Sequence, residues 1–138
     1  MTKSISLPIA ILLLLSAVGF RPNSNVTVPI NVEELTIAQI HASYKKGAFT
    51  SQQLVSAYLE RINQLNPQIN AITILNPQAM AIAKALDEEY KKTKVLRPLH
   101  GIPIIVKDNI NTKGLATTAG ALALKDFVPT EDAFIIDK

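Results

Sequence analysis

The sequence predicts an α/β fold, and three observations carry that expectation. Two apolar runs rich in β-branched residues, Ile69–Leu75 and Ile102–Val106, have the length and composition of strands. Three longer segments place apolar residues at helical spacing beside good capping residues. The order is therefore helix, helix, strand, helix, strand, the alternation expected of a layered α/β arrangement. The 138 residues have room for one small domain with its own core.

The N-terminus reads as a targeting segment. Lys3 supplies a positive charge, and Ile9 to Phe20 is apolar apart from Ser16 and Gly19. That run is short for a membrane span of about 20 residues. It suits the apolar region of a signal peptide, with Ala17-Val18-Gly19 as a small-x-small cleavage site. The expected organisation is a signal peptide over residues 1–20 (about 1–19 removed), a linker over 21–31 and one domain over 32–138. The expected location is secreted or periplasmic. An uncleaved anchor or a buried core helix are the alternatives. Membrane contact is expected only through this segment.

Thr36 is a good N-cap for a first helix whose stripe is Leu35, Ile37, Ile40 and Tyr44, with Gly47 at the C-cap. Thr50 or Ser51 caps a second helix with the stripe Leu54, Val55, Tyr58, Leu59 and Ile62. Pro67 predicts its end near Asn66, because the residue before a proline avoids helical geometry. Pro77 fits the first turn of a third helix. Ala79, Ile82, Ala83 and Leu86 face its neighbour, and Asp87, Glu88, Glu89, Lys91 and Lys92 form the wet side. The loop from Thr93 to Pro98 leads into the run that ends at Lys107. Thr112 to Gly120 reads as irregular. Thr130, Glu131 and Asp132 mark the start of a last helix. The chain stops about two turns into it, too short to stand alone, and two strands make a marginal sheet. Both features predict that the sequence is part of a larger unit.

Composition removes several classes of function. There is no cysteine, so disulfides, thiolate nucleophiles and cysteine metal sites are excluded. His41 and His100 lack ligand spacing, and no metal or other cofactor is expected. Both read as structural histidines. The net charge is +3, and the basic residues cluster mainly at Lys84, Lys91, Lys92, Lys94 and Arg97. Apart from Tyr90 no aromatic residue interleaves them, so the cluster reads as a solvated helix end and no nucleic-acid partner is expected. Oligomeric state has no signature here.

Lys107 closes an apolar run and precedes Asp108 and Asn109. A lysine at the end of a buried strand is partly desolvated, which favours the neutral amine and lets it act as a base. A surface lysine paired with Asp108 fits the local sequence as well.

Leu99-His100-Gly101-Ile102-Pro103, followed by Val106-Lys107-Asp108-Asn109-Ile110, resembles the lysine-bearing block of the amidase-signature hydrolases. Thr117-Thr118-Ala119-Gly120 resembles the loop that follows it, except that Ala121 stands where family members usually carry serine. Gly47, Thr50-Ser51, Leu54, Tyr58, Arg61-Ile62, Asn66 and Asn70-Ala71 fit the family's N-terminal helical hairpin. The resemblance covers roughly Glu33 to Lys138.

The resemblance implies a mixed sheet flanked by helices, of which this chain supplies the N-terminal part. It implies hydrolysis of a small-molecule or peptide carboxamide through a Ser-cisSer-Lys triad. The nucleophilic serine is weak until a base takes its proton. The base is a neutral lysine acting through a second, bridging serine, and a glycine- and serine-rich loop stabilises the oxyanion. Lys107 is the implied base, with Asp108, Asn109 and Thr118 as supports. The family's Gly-Gly-Ser-Ser-Gly block has no counterpart here. Ser43, Ser51 and Ser56 fall in or at helices, so this chain alone is expected to be inactive. Two other readings accompany this one: a catalytically silent remnant or binding module, and the amidase subunit of a tRNA-dependent amidotransferase.

Overall fold

The computed structural model describes residues 29–138; the expected signal peptide and most of the expected linker lie outside the described residues. Among the described residues the elements are α1 (Ile37–Lys46), α2 (Ser51–Ile69), α3 (Ala79–Thr93), a 3-10 turn (Leu122–Leu124) and α4 (Phe134–Asp137). None of these helices is long and apolar enough to cross a membrane.

α1 begins and ends where its residues demand. The Thr36 hydroxyl accepts from Gln39 N–H, and the Gln39 side chain accepts from Thr36 N–H, closing a capping box. Gly47 ends the helix in the left-handed conformation, φ 68°. Thr50 repeats the capping box with Gln53 at the start of α2. Pro67 does not stop α2, which runs on to Ile69 with Asn70 as a left-handed C-cap. The reason is the Asn66 side chain. Its amide donates to Ile72 O at 2.9 Å and its carbonyl accepts from Ile72 N at 2.8 Å, which holds the returning chain against the last turn. α3 starts two residues after Pro77, because Asn76 takes Gln78 N–H on its side chain and Ala79 N–H on its carbonyl.

α2 and α3 pack against each other. The core is small: Ile40, Tyr44 and Leu54, flanked by Val32, Leu35, Phe49, Tyr58, Tyr90 and Ile102. Leu54 is fully enclosed at 0% exposure. Such burial contributes about 1.5–3 kcal/mol. Ala83 is buried too, where a small side chain permits close approach.

The expected sheet is not formed among the described residues. The stretches 70–75 and 102–107 are extended or turning chain without strand pairing, and Ile69 itself belongs to α2. A strand needs a partner for its backbone groups, and neither stretch has one here. Ile104 and Ile105 are 62% and 77% exposed, so the run before Lys107 is not buried as its composition predicted. The last helix also differs. Asp132 accepts from Lys113 N–H at 2.7 Å and Ala133 N–H donates to Asn111 O at 2.9 Å, so residues 130–132 pack on that loop and α4 begins at Phe134.

Candidate active site

The 101–108 segment is fixed at its first end by a buried polar network. The Tyr44 hydroxyl donates to Gly101 O at 2.7 Å. A Cβ on Gly101 would collide with Ser51 Oγ and sit 3.1 Å from the Tyr44 ring, and Gly101 has φ +70°, so only glycine fits there. The Tyr44 phenol hydrogen-bonds Ser51, but burial outweighs that contact and pushes the phenol up to about 12. Asp87 accepts from Ser51 N–H at 2.7 Å and Gln52 N–H at 3.0 Å, so an acid on α3 caps the N-terminus of α2. Helical periodicity alone puts Asp87 on the wet side of α3. Its partners lie far off in the sequence, so no local pattern marks it.

Both histidines hydrogen-bond backbone carbonyls. His100 is 2% exposed, and its Nε2 faces Leu86 O at 3.0 Å. A carbonyl only accepts, so that nitrogen carries the proton. His100 Nδ1 is left as a buried atom without a partner among the described residues. His41 Nε2 likewise faces His100 O at 3.2 Å.

At its other end the segment turns at Lys107. Ile110 N–H donates to Lys107 O at 2.9 Å, which places Asp108 and Asn109 at the centre of a β-turn. Thr118 N–H donates to Asp108 Oδ1 at 2.8 Å, and the Thr118 hydroxyl donates to Asp108 Oδ2. Ala119 N–H reaches Asp108 O at 2.9 Å. Ala119 and Gly120 both have positive φ, 49° and 71°, as the two central residues of a type I′ turn do, and Ala121 N–H closes it on Thr118 O. The Thr118 hydrogen bonds are the main reason the Asp108 carboxyl lies below its ordinary value of 3.8. A lowered carboxyl favours the fold above that value, and this contribution is lost as pH falls through the lowered one.

Lys107 and Asp108 line an open cleft of about 980 Å³. Its lining comes from α2, α3, residues 71–76, residues 101–108, Ile110, Thr112 and Leu115–Thr117. Its walls are largely apolar. Lys107 is exposed and makes no ion pair among the described residues. Asn109 and Thr118 do not line the cleft. Asn109 shapes the turn, and Thr118 acts on Asp108 from outside. Ser43 donates to Gln39 O, Ser51 is buried at the start of α2 and Ser56 is exposed on it, so no described serine hydroxyl is bonded to Lys107. No group of three or more metal-ligating side chains occurs among the described residues.

The profile of the Amidase family matches residues 53–138, from α2 through Lys107 to the last residue. The chain belongs to the amidase family. A Schizosaccharomyces pombe protein that carries the name amidase is 43% identical over 108 residues, 78% of this chain and 18% of that protein. A subunit of the glutamyl-tRNA(Gln) amidotransferase of Dehalococcoides mccartyi is also 43% identical, over 76% of this chain and 22% of its own length. Among solved structures, the native peptide amidase of Stenotrophomonas maltophilia superposes with a TM-score of 0.72 at 40% identity, over 76% of this chain and 22% of that chain. The chain therefore spans about a fifth of the length of the amidase relatives it matches. The conformation of its matched residues is that of the amidase-signature fold, although the sheet is not formed among them.

Proposed function

We propose that this chain is the lysine-bearing N-terminal portion of an amidase that cleaves carboxamide C–N bonds by a Ser-cisSer-Lys mechanism. The observation that carries the reading is the position of Lys107. It sits on the wall of the cleft, inside the family-matched residues, with its amine bound to no carboxylate among the described residues. A lysine so placed is open to a serine from another part of the polypeptide and takes its proton through the bridging serine. This chain supplies the base and neither serine, so alone it turns over no amide.

The test is a chimera in which residues 33–138 replace the matching part of the Stenotrophomonas maltophilia peptide amidase. In an active chimera, Lys107→Ala lowers kcat by about 100-fold or more and leaves the circular dichroism spectrum unchanged. Near-normal turnover of Lys107→Ala overturns the assignment.

The apolar run Ile9–Phe20 supports export of the protein, which N-terminal sequencing of the mature form would check. The likeness to a glutamyl-tRNA(Gln) amidotransferase component favours a second reading, in which the chain belongs to an amidotransferase. Removal of residues 1–20 during export supports the first reading, and retention in the cytosol the second.

A further inference from the structure

Lys107 is followed directly by a carboxylate, and an ion pair with that neighbour would hold the amine protonated and turned away from the cleft. The structure shows the carboxylate engaged elsewhere. Asp108 Oδ1 accepts from Thr118 N–H at 2.8 Å and Oδ2 accepts from the Thr118 hydroxyl, so one residue bonds both oxygens and orients the carboxylate towards itself. The backbone repeats the tie, with Ala119 N–H on Asp108 O. The loop that makes these bonds is itself braced, because Gly120 N–H donates to Thr118 Oγ1 at 3.1 Å and the 118–121 turn closes on Thr118 O. No Lys107–Asp108 ion pair is present among the described residues.

We infer that Thr118 is a positioning residue: by holding both oxygens of Asp108 it withdraws that carboxylate from Lys107 and leaves the lysine amine available for proton transfer. The proposal deepens the reading of Lys107 as a base and rests on it. It adds a role for the Thr-Thr-x-Gly loop that does not require the loop to touch substrate. A hydroxyl and an N–H on one residue suit this task. A lysine or arginine in place of Thr118 would bring a charge of its own beside the base.

The amine's availability is measured on the intact chain by acetylation with an amine-reactive ester, read lysine by lysine by mass spectrometry. Lys113 and Lys125 serve as internal references. Thr118→Val keeps the shape and removes the hydroxyl. It slows Lys107 acetylation about two- to five-fold against the references, the size that an exposed ion pair supports. Thr118→Ser restores the normal rate. Adding Asp108→Asn to Thr118→Val also restores it, because an amide cannot pair with the ammonium; a purely structural role for Thr118 gives no such rescue. Asp108→Asn alone is the second variant. It leaves the Lys107 rate within about twofold of normal, since Asp108 is already withdrawn. An unchanged Lys107 rate in Thr118→Val, or a several-fold rise in Asp108→Asn alone, overturns the proposal. Acetylation does not depend on turnover. Failure here is therefore distinct from an active Lys107→Ala chimera, which would remove the base assignment and leave these rates as they are.

Discussion

Tyr44 joins several parts of the described structure. It belongs to α1, contributes to the core, contacts Phe49 edge-on and holds Gly101 by its hydroxyl. Its phenol titrates at about 12 in the fold against an ordinary 10.0. The folded value is raised, so this contribution to stability is complete below about pH 10 and is lost as pH climbs towards about 12. Urea unfolding across that window should show stability falling in the natural chain. Tyr44→Phe should be less stable at neutral pH by about 1–3 kcal/mol, because Gly101 O loses its donor in a buried place. It should also lack the alkaline component. Parallel losses in both proteins between pH 10 and 12 would assign the effect to another group.

Both ends of α1 and the start of α2 were legible in the sequence, while the features that depend on distant partners were not. A capping box is complete within four residues, so Thr36 and Thr50 declare their helices locally. Asn66 carries α2 past Pro67 through bonds to Ile72, and Asp132 commits its carboxylate to Lys113 N–H. Neither fact is visible in periodicity. The cap that Asp87 provides to α2 crosses between two helices and is equally hidden. Asp87→Ala should therefore cost about 1–2 kcal/mol in chemical denaturation, the range of a lost helix cap. A change within about 0.5 kcal/mol, typical of surface substitutions, would show that water replaces this cap freely. Lys107 stood out because its block is a short contiguous motif. The Tyr44–Gly101 anchor that sets where the segment begins joins residues from different elements, and no motif contains it.

At the scale of all the described residues, the apolar surface is distributed unusually. The core holds few fully buried side chains, while Ile69, Ile104, Ile105, Leu122, Phe134 and Ile135 are all more than 60% exposed. Adjacent exposed apolar side chains such as Ile104 and Ile105 offer surface to other chains or ligands. An environment-sensitive dye such as anilinonaphthalene sulfonate should fluoresce with the native chain at neutral pH. The double substitution Ile104→Lys and Ile105→Lys should reduce that signal. A native chain that leaves the dye dark would show that this face is covered in solution. The α/β expectation stands at the same scale. The helices it required are present, and the two apolar runs meant for a sheet line one cleft without strand partners among the described residues. Their composition announced a strand; only a partner could make one.

The two tethers on the 101–108 segment have a consequence for register. Gly101 is pinned by Tyr44 and Asp108 by Thr118, while Ile104, Ile105 and Val106 offer backbone N–H groups that meet no acceptor among the described residues. In a strand a slip by one residue turns every side chain to the opposite face. Here such a slip would require breaking a buried hydrogen bond at one end and the carboxylate tie at the other. A second strand laid against this template would meet its alignment already chosen, and with it the face from which Lys107 projects.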